Sequence, residues 1–389
     1  MQLAKETFLQ LVRLGIGHME PTPNRGQSDP FELPRCEGGI RSQTTEITEK
    51  VDWVALKALA DMQGLPAIVL DGLGNLPHSS LAACQIPQKL RLGWIGEVLQ
   101  MEARSDAQSK AAKSLGEFFQ SNNIITYVLK GAVIAECYPN PRHRLSADLD
   151  CFLLPSKGDF DAWSLGDSLV KSQGYEVSEG FYKNSTFHLP GLMVENHRFM
   201  TPFRGNKKLR DFEILLQSLM RENTMAGVTD ESRFDGTWLY RPPVMVSALF
   251  MIEHAYSHFL HEGLTWKMVL DWKMFCKRHW TEICREDFNA LIGKFGFKKF
   301  YDSYARLGDY LVGEITAQEL TDNDKLMLED IWTPLDLHET LHGLKAKFQL
   351  AGNYWRARRK YRFFTDMTWL RALTEWVVGA VFERHPKLG

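Results

Sequence analysis

The sequence contains no Cys-x-x-Cys pair, no run of 18 apolar residues and no large surplus of either charge. Each absence narrows the field. Its six cysteines, Cys36, Cys84, Cys137, Cys151, Cys276 and Cys284, are irregularly spaced, unlike a disulfide framework or a structural zinc site. Lysine and arginine number 46 against 48 aspartate and glutamate, for a net charge of −2. That balance argues against a broad electrostatic footprint for nucleic acid. The opening Met1-Gln2-Leu3-Ala4-Lys5-Glu6 lacks a basic segment leading into an apolar core, and no stretch is long enough to cross a bilayer. The expectation is a cytoplasmic protein with no membrane partner and mostly buried, reduced thiols.

What is present is length and periodicity. A chain of 389 residues can bury a large core and divide into two or three substructures. Apolar residues recur at helical spacing over Leu3–Leu14, Asp52–Met62, Leu90–Leu99 and Ala107–Phe119. Residues 20–45, rich in proline, glycine, serine and threonine, read as a long loop. The middle changes period. Ile124–Leu129 is β-rich, Phe160–Ser172 is helical and stops at Gly174, and short β-like pieces follow at Tyr175–Val177, Phe181-Tyr182, Thr186–Leu189 and Leu192–Phe199. From Pro243 onward, apolar stripes mark helices over Val244–Leu260, Thr265–His279, Arg285–Phe295, Lys299–Leu311 and Thr368–Arg384. This predicts an α+β fold: a small mixed sheet in residues 107–225, flanked by helical regions over 1–106 and 226–389.

The chemistry concentrates at Leu129-Lys130-Gly131-Ala132 and at Arg144-Leu145-Ser146-Ala147-Asp148-Leu149-Asp150. In a strand, residues i and i+2 share a face, so Asp148 and Asp150 converge while Leu149 and Cys151 point away. Two carboxylates held that close repel unless a cation lies between them, and oxygen donors suit a hard ion such as Mg²⁺ that bridges to phosphate. Gly131 lets a bound group approach the backbone. Lys130 and the cluster Arg142, His143, Arg144 bring positive charge beside the acids. Acids for a metal, a glycine opening and flanking cations together suit a nucleoside triphosphate. Glu195 and His197 share a face of the last β-like piece, and Glu195 meets the paired acids if those strands are neighbours.

This order of features, with Tyr138-Pro139, Gly174-Tyr175, Val194-Glu195-Asn196-His197, His254, His258 and Leu270-Asp271, resembles the bacterial family of uncharacterised nucleotidyltransferases, a branch of the DNA polymerase β-like nucleotidyltransferase superfamily. The resemblance spans roughly residues 50–280. It implies that Asp148, Asp150 and Glu195 are the metal-holding catalytic acids. It places the phosphate turn at Gly131-Ala132, where alanine replaces the superfamily's serine, with Lys130 and Arg144 helping to hold the triphosphate. The implied reaction is transfer of a nucleoside monophosphate from a nucleoside triphosphate to an acceptor hydroxyl, with pyrophosphate released and Mg²⁺ or Mn²⁺ as cofactor. The acceptor is unknown: a small molecule, a protein or RNA. The alternatives are a metal-dependent phosphohydrolase using the same acids, or a nucleotide-binding module without turnover.

Two further patterns compete with these. His254 and His258 share a helix face with His261 one turn on, but Glu253 precedes His254, so the His-Glu-x-x-His order of a metalloprotease is absent. They are expected to be structural or to line the substrate cleft, with Asp271 pairing one of them. The segment Tyr354–Phe364 interleaves cations with aromatics, as RNA-stacking surfaces do. The preferred reading is an amphipathic helix with its aromatics packed inward.

Overall fold

The computed structural model describes residues 2–17, 51–76, 86–234, 236–333 and 357–382. The expected loop over 20–45, Cys36, Cys84 and Tyr354–Arg356 lie outside them. The architecture is α+β, a six-stranded mixed sheet with helices packed around it. The strands are β1 (Ile124–Val128), β2 (Asp148–Pro155), β3 (Val177–Phe181), β4 (Asn184–Leu189), β5 (Leu192–His197) and β6 (Leu239–Tyr240). Their order is β3-β4-β5-β2-β1-β6. β5 runs parallel to β2 and β6 parallel to β1; the other pairs are antiparallel.

Burial explains this order. All five residues of β1 and the inner six of β2 are buried, the signature of central strands covered on both faces. β4, nearer the sheet edge, alternates buried with partly exposed positions.

Before the sheet come α1 (Gln2–Gly15), α2 (Trp53–Met62), α3 (Pro66–Gly74) and α4 (Gln88–Ser121). Sequence periodicity predicts two helices in the last stretch, yet α4 is one helix of 34 residues. Its buried residues fall at the two ends, Trp94 and Val98, then Ala112, Leu115, Gly116 and Phe119. The first group faces other N-terminal helices and the second the sheet, so an exposed middle imitates a break. The expected domain border at 106–107 lies inside this helix.

The short α5 (Ala132–Ala135) follows β1, and α6 (Ala162–Ser172) covers β2. A Cβ on Gly166 of α6 would lie 2.4 Å from Leu153 Cδ1, so the close approach of helix to strand requires glycine.

α7 (Lys207–Ala226) is a helix the periodicity did not reveal. Its buried face carries Glu213 and Gln217 beside Phe212, Leu216 and Met220. Glu213 accepts hydrogen bonds from Met200 N (3.0 Å), Thr201 N (2.8 Å) and Thr201 Oγ1 (3.0 Å). The polar residues that break the apolar stripe thus satisfy the turn leaving β5.

The C-terminal helices are α8 (Val244–His261), α9 (Trp266–His279), α10 (Arg285–Phe295), α11 (Lys298–Val312), α12 (Asp322–Trp332) and α13 (Trp369–Phe382). Ring contacts such as Phe212–Phe295 (4.9 Å) and Phe259–Phe364 (4.9 Å) join them in an aromatic core. In the helical residues 357–364, Tyr361 and Phe364 are buried while Arg358, Arg359 and Arg362 are exposed. Lys360 turns inward to Asp330 at 2.6 Å. Among the described residues, no helix is long and apolar enough to cross a membrane.

Candidate active site

The site forms where β2 and β5 run side by side. Their register sets Asp150 opposite Glu195 and Phe152 opposite His197, and the two-residue side-chain period then brings Asp148, Asp150, Glu195 and His197 to one face. Asp150 is fully buried. Its Oδ1 meets Lys130 Nζ at 3.3 Å and His197 Nε2 at 2.9 Å. Asp150 Oδ2 is buried and has no hydrogen-bond donor among the described residues. Glu195 Oε2 lies 3.3 Å from the same His197 nitrogen, and His197 Nδ1 lies 3.2 Å from the Phe199 carbonyl oxygen.

One ligand atom each from Asp150, Glu195 and His197 fall within 4.8 Å of one another. Asp148 stands outside this tight trio. It sits at the start of β2, half-buried, within electrostatic reach of Asp150, Lys130 and Glu195. Burial, then repulsion from Asp150, raises its carboxyl above the usual range. Burial also acts to raise Asp150, but Lys130 and His197 outweigh it and hold that carboxyl well below the ordinary range. The hydrogen bond from His197 lowers Glu195 against its burial. Burial works against the Lys130 ammonium, yet Asp150 and Asp148 keep it raised and charged.

Lys130 ends the turn after β1, and Gly131 follows with φ +69° and ψ −99°, a region that favours glycine. A Cβ there would come 3.0 Å from Ser146 Oγ and 4.0 Å from Arg144 Nη1. The glycine therefore faces a hydroxyl and a guanidinium. Ser146 stands beside the turn in which Ala132 lacks a hydroxyl.

The expected cation cluster divides. Arg144 is buried near Asp150, but its Nε and Nη2 contact Asp271 at 3.1 and 2.7 Å. Asp271 also accepts from Tyr138 Oη at 2.7 Å, so its partners are Arg144 and Tyr138 and not a histidine. Arg142 and His143 do not stand beside the acids. The 3₁₀ turn at Pro141–His143, capped by Asn140, sends them toward the N-terminal helices. Arg142 reaches Asp106 at 2.9 Å, and His143 lies 2.6 Å from Asp71 and 2.9 Å from Glu102.

Side chains from two C-terminal helices also come within electrostatic reach of the acids and Lys130. Lys267, near the start of α9, is lowered to about 8 by burial and then by Arg144. Nothing in its helical segment singles it out in the sequence. On α8, His254 and His258 have ring centroids 4.5 Å apart, and His258 Nδ1 pairs with Glu262 at 2.6 Å. Burial and then Lys130 push His254 well below the ordinary histidine value, so its ring is neutral at neutral pH. The histidine row faces the cleft near Lys130, while His261 is exposed.

A buried aspartate with a lysine against it, two half-buried acids beside it, a positive-φ glycine and flanking cations agree with a comparison against known families. The profile of one family, described as uncharacterised nucleotidyltransferase, matches residues 49–313. The chain belongs to the uncharacterised nucleotidyltransferase family. Comparison with curated proteins and with solved structures finds no match. The matched span of this nucleotidyltransferase runs from the residues before α2 to the end of α11 and holds every residue of the cleft. Membership points to nucleotidyl transfer as the general chemistry and to a nucleotide as substrate.

Proposed function

We propose that the protein transfers a nucleoside monophosphate from a nucleoside triphosphate to an acceptor hydroxyl. The acceptor oxygen bonds to the α-phosphorus, the bond from that phosphorus to the β-bridging oxygen breaks, and pyrophosphate leaves. The hydroxyl proton passes to Glu195, whose side chain is 27 % exposed. The observation that carries this reading is the register that sets Asp150 beside Glu195 with Lys130 against them.

A divalent ion fits these residues, because two carboxylates converge and Asp150 Oδ2 is buried without a donor. Asp150 and Glu195, with Asp148 at the mouth, would hold Mg²⁺ or Mn²⁺. Such an ion, when bound, supplies charge to the phosphate oxygens and eases loss of the acceptor's proton. The chain does the rest by position and charge. Lys130 and Lys267 offset the triphosphate's negative charge from two sides. Arg144, locked by Asp271, directs Nη1 toward the opening at Gly131. The missing side chain of Gly131 admits the phosphates, and the Ser146 hydroxyl beside it donates to the Asp148 carbonyl oxygen at 3.1 Å.

The test is incubation with each α-labelled nucleoside triphosphate, Mg²⁺ or Mn²⁺ and cell extract. The wild type should label an acceptor, and Asp148→Asn and Asp150→Asn should not. Equal labelling by all three proteins would reject the site. Free labelled monophosphate without a labelled acceptor would identify hydrolysis instead.

A further inference from the structure

We propose that His197 is itself a metal ligand, making the centre a mixed nitrogen–oxygen site that selects a transition ion of the Mn²⁺ class over Mg²⁺. This deepens the reading above and rests on it only in treating the acid cluster as a metal centre.

The first argument is the second nitrogen of the ring. His197 Nδ1 lies 3.2 Å from the carbonyl oxygen of Phe199, and a carbonyl only accepts. An N–H on Nδ1 satisfies that carbonyl, and an ion at the acids would take the place of the proton that Nε2 shares with the two carboxylates. Metal-bound histidines are oriented in this way by a carbonyl or carboxylate behind them.

The second argument is spacing. His197 Nε2 is 2.9 Å from Asp150 Oδ1 and 3.3 Å from Glu195 Oε2. Donors on adjacent corners of an octahedral ion with bonds of about 2.1 Å are about 3.0 Å apart. Both nitrogen–oxygen separations are close to what a shared ion imposes, and one ligand atom from each of the three residues lies within 4.8 Å of the others.

The third argument is what stays unsatisfied. Asp150 and His197 are 0 % and 1 % exposed, so their ligand atoms are shielded from bulk solvent. Asp150 Oδ2 nevertheless has no donor among the described residues. A buried carboxylate oxygen left bare is destabilising; a bound cation removes that cost.

The donor set then decides which ion. The tight trio consists of two oxygens and one imidazole nitrogen, with Asp148 outside it. Mg²⁺ prefers oxygen and keeps its waters, whereas imidazole suits first-row transition ions. The paired acids of the sequence motif alone suggest an oxygen-only site; parallel pairing of β2 with β5 brings in the nitrogen.

The experiment uses the full chain with Mn²⁺ alone, without nucleotide. Electron spin-echo spectroscopy should show coupling to one ¹⁴N nucleus, changed to the ¹⁵N pattern when histidine is ¹⁵N-labelled. Competition should show Mn²⁺ bound at least about tenfold more tightly than Mg²⁺. His197→Gln should remove the nitrogen coupling and bring the two affinities together. Should that variant fail to fold, the labelled wild-type spectrum decides alone. Failure to bind Mn²⁺, absence of nitrogen coupling, or equal affinity for the two ions in the wild type would overturn the proposal. Label transfer without nitrogen coupling would reject the imidazole ligand and keep the transferase reading. Nitrogen coupling without label transfer would do the reverse.

Discussion

Among the described residues, two carboxylate–imidazole–carboxylate clusters behave in opposite ways. In one, His143 sits between Asp71 on α3 and Glu102 on α4, each ring nitrogen against a carboxylate. Hydrogen bonding to Asp71, and then Glu102 against burial, raises the His143 pKa. In the other, His197 gives one nitrogen to a backbone carbonyl and turns the other to both Asp150 and Glu195, leaving Asp150 Oδ2 bare. The first is complete in itself and ties helices together. The second is short of positive charge at its centre. Residue type is the same in both, so what separates a clamp from a site is where the second ring nitrogen goes and whether an acid oxygen is left over.

The largest expected effect separates the clusters by activity. Asp150→Asn removes a charge from the incomplete cluster and should cut nucleotidyl transfer by more than the roughly 10–100-fold typical of changes one layer out from a metal. Glu102→Gln alters the complete cluster and should leave the rate within about threefold, below the range for such outer residues. Steady-state rates with the labelled nucleotide would measure both. Comparable losses in the two variants would erase the distinction.

A smaller effect probes the cations around the incomplete cluster. Lys267, lowered to about 8 by burial and then Arg144, is charged below that pH and neutral above it. Raising the pH from 7 to 9 should therefore weaken triphosphate binding by about tenfold, the equivalent of about 1.4 kcal/mol. Lys267→Met keeps the aliphatic stem that packs over Gly64. Its affinity should be weaker at pH 7 and nearly flat across the same range in calorimetric titrations. Parallel curves for the two proteins would remove Lys267 from the phosphate site.

The incomplete cluster was more legible in the sequence than its surroundings. Local alternation gave Asp148 and Asp150 one face, and the same rule put Glu195 with His197. The Lys130-Gly131 break after an apolar run marked the turn, and α10 matches its expected bounds of Arg285–Phe295. The misses come from forces that act at long range or against pattern. The Arg144–Asp271 pair joins residues 127 apart, and no local period encodes it. Buried Glu213 and Gln217 hid α7, because a polar residue satisfied by a turn looks like an interruption. Lys267 looks like any lysine at a helix start until Arg144 and burial surround it. Arg142 and His143 are near the acids in sequence, but the turn capped by Asn140 rotates them away.

The complete cluster yields an effect on stability with no expected effect on activity, and the clearest sign. The His143 pKa is raised in the folded state, so the folded chain holds that proton more tightly than the unfolded one. The resulting stabilisation is fully present below the unfolded histidine value of about 6.5 and disappears as pH rises through the folded value. His143→Leu leaves Asp71 and Glu102 without the imidazolium, although Arg142 still stands 3.6 Å from Glu102. It should cost about 1–3 kcal/mol at pH 5.5. Denaturant melts from pH 5.5 to 9 should show the gap between wild type and variant narrowing as pH increases. A gap that stays constant or widens would mean that His143 is neutral in the fold. The clamp would then be an ordinary hydrogen-bonded contact, and the contrast with His197 would rest on the bare oxygen of Asp150 alone.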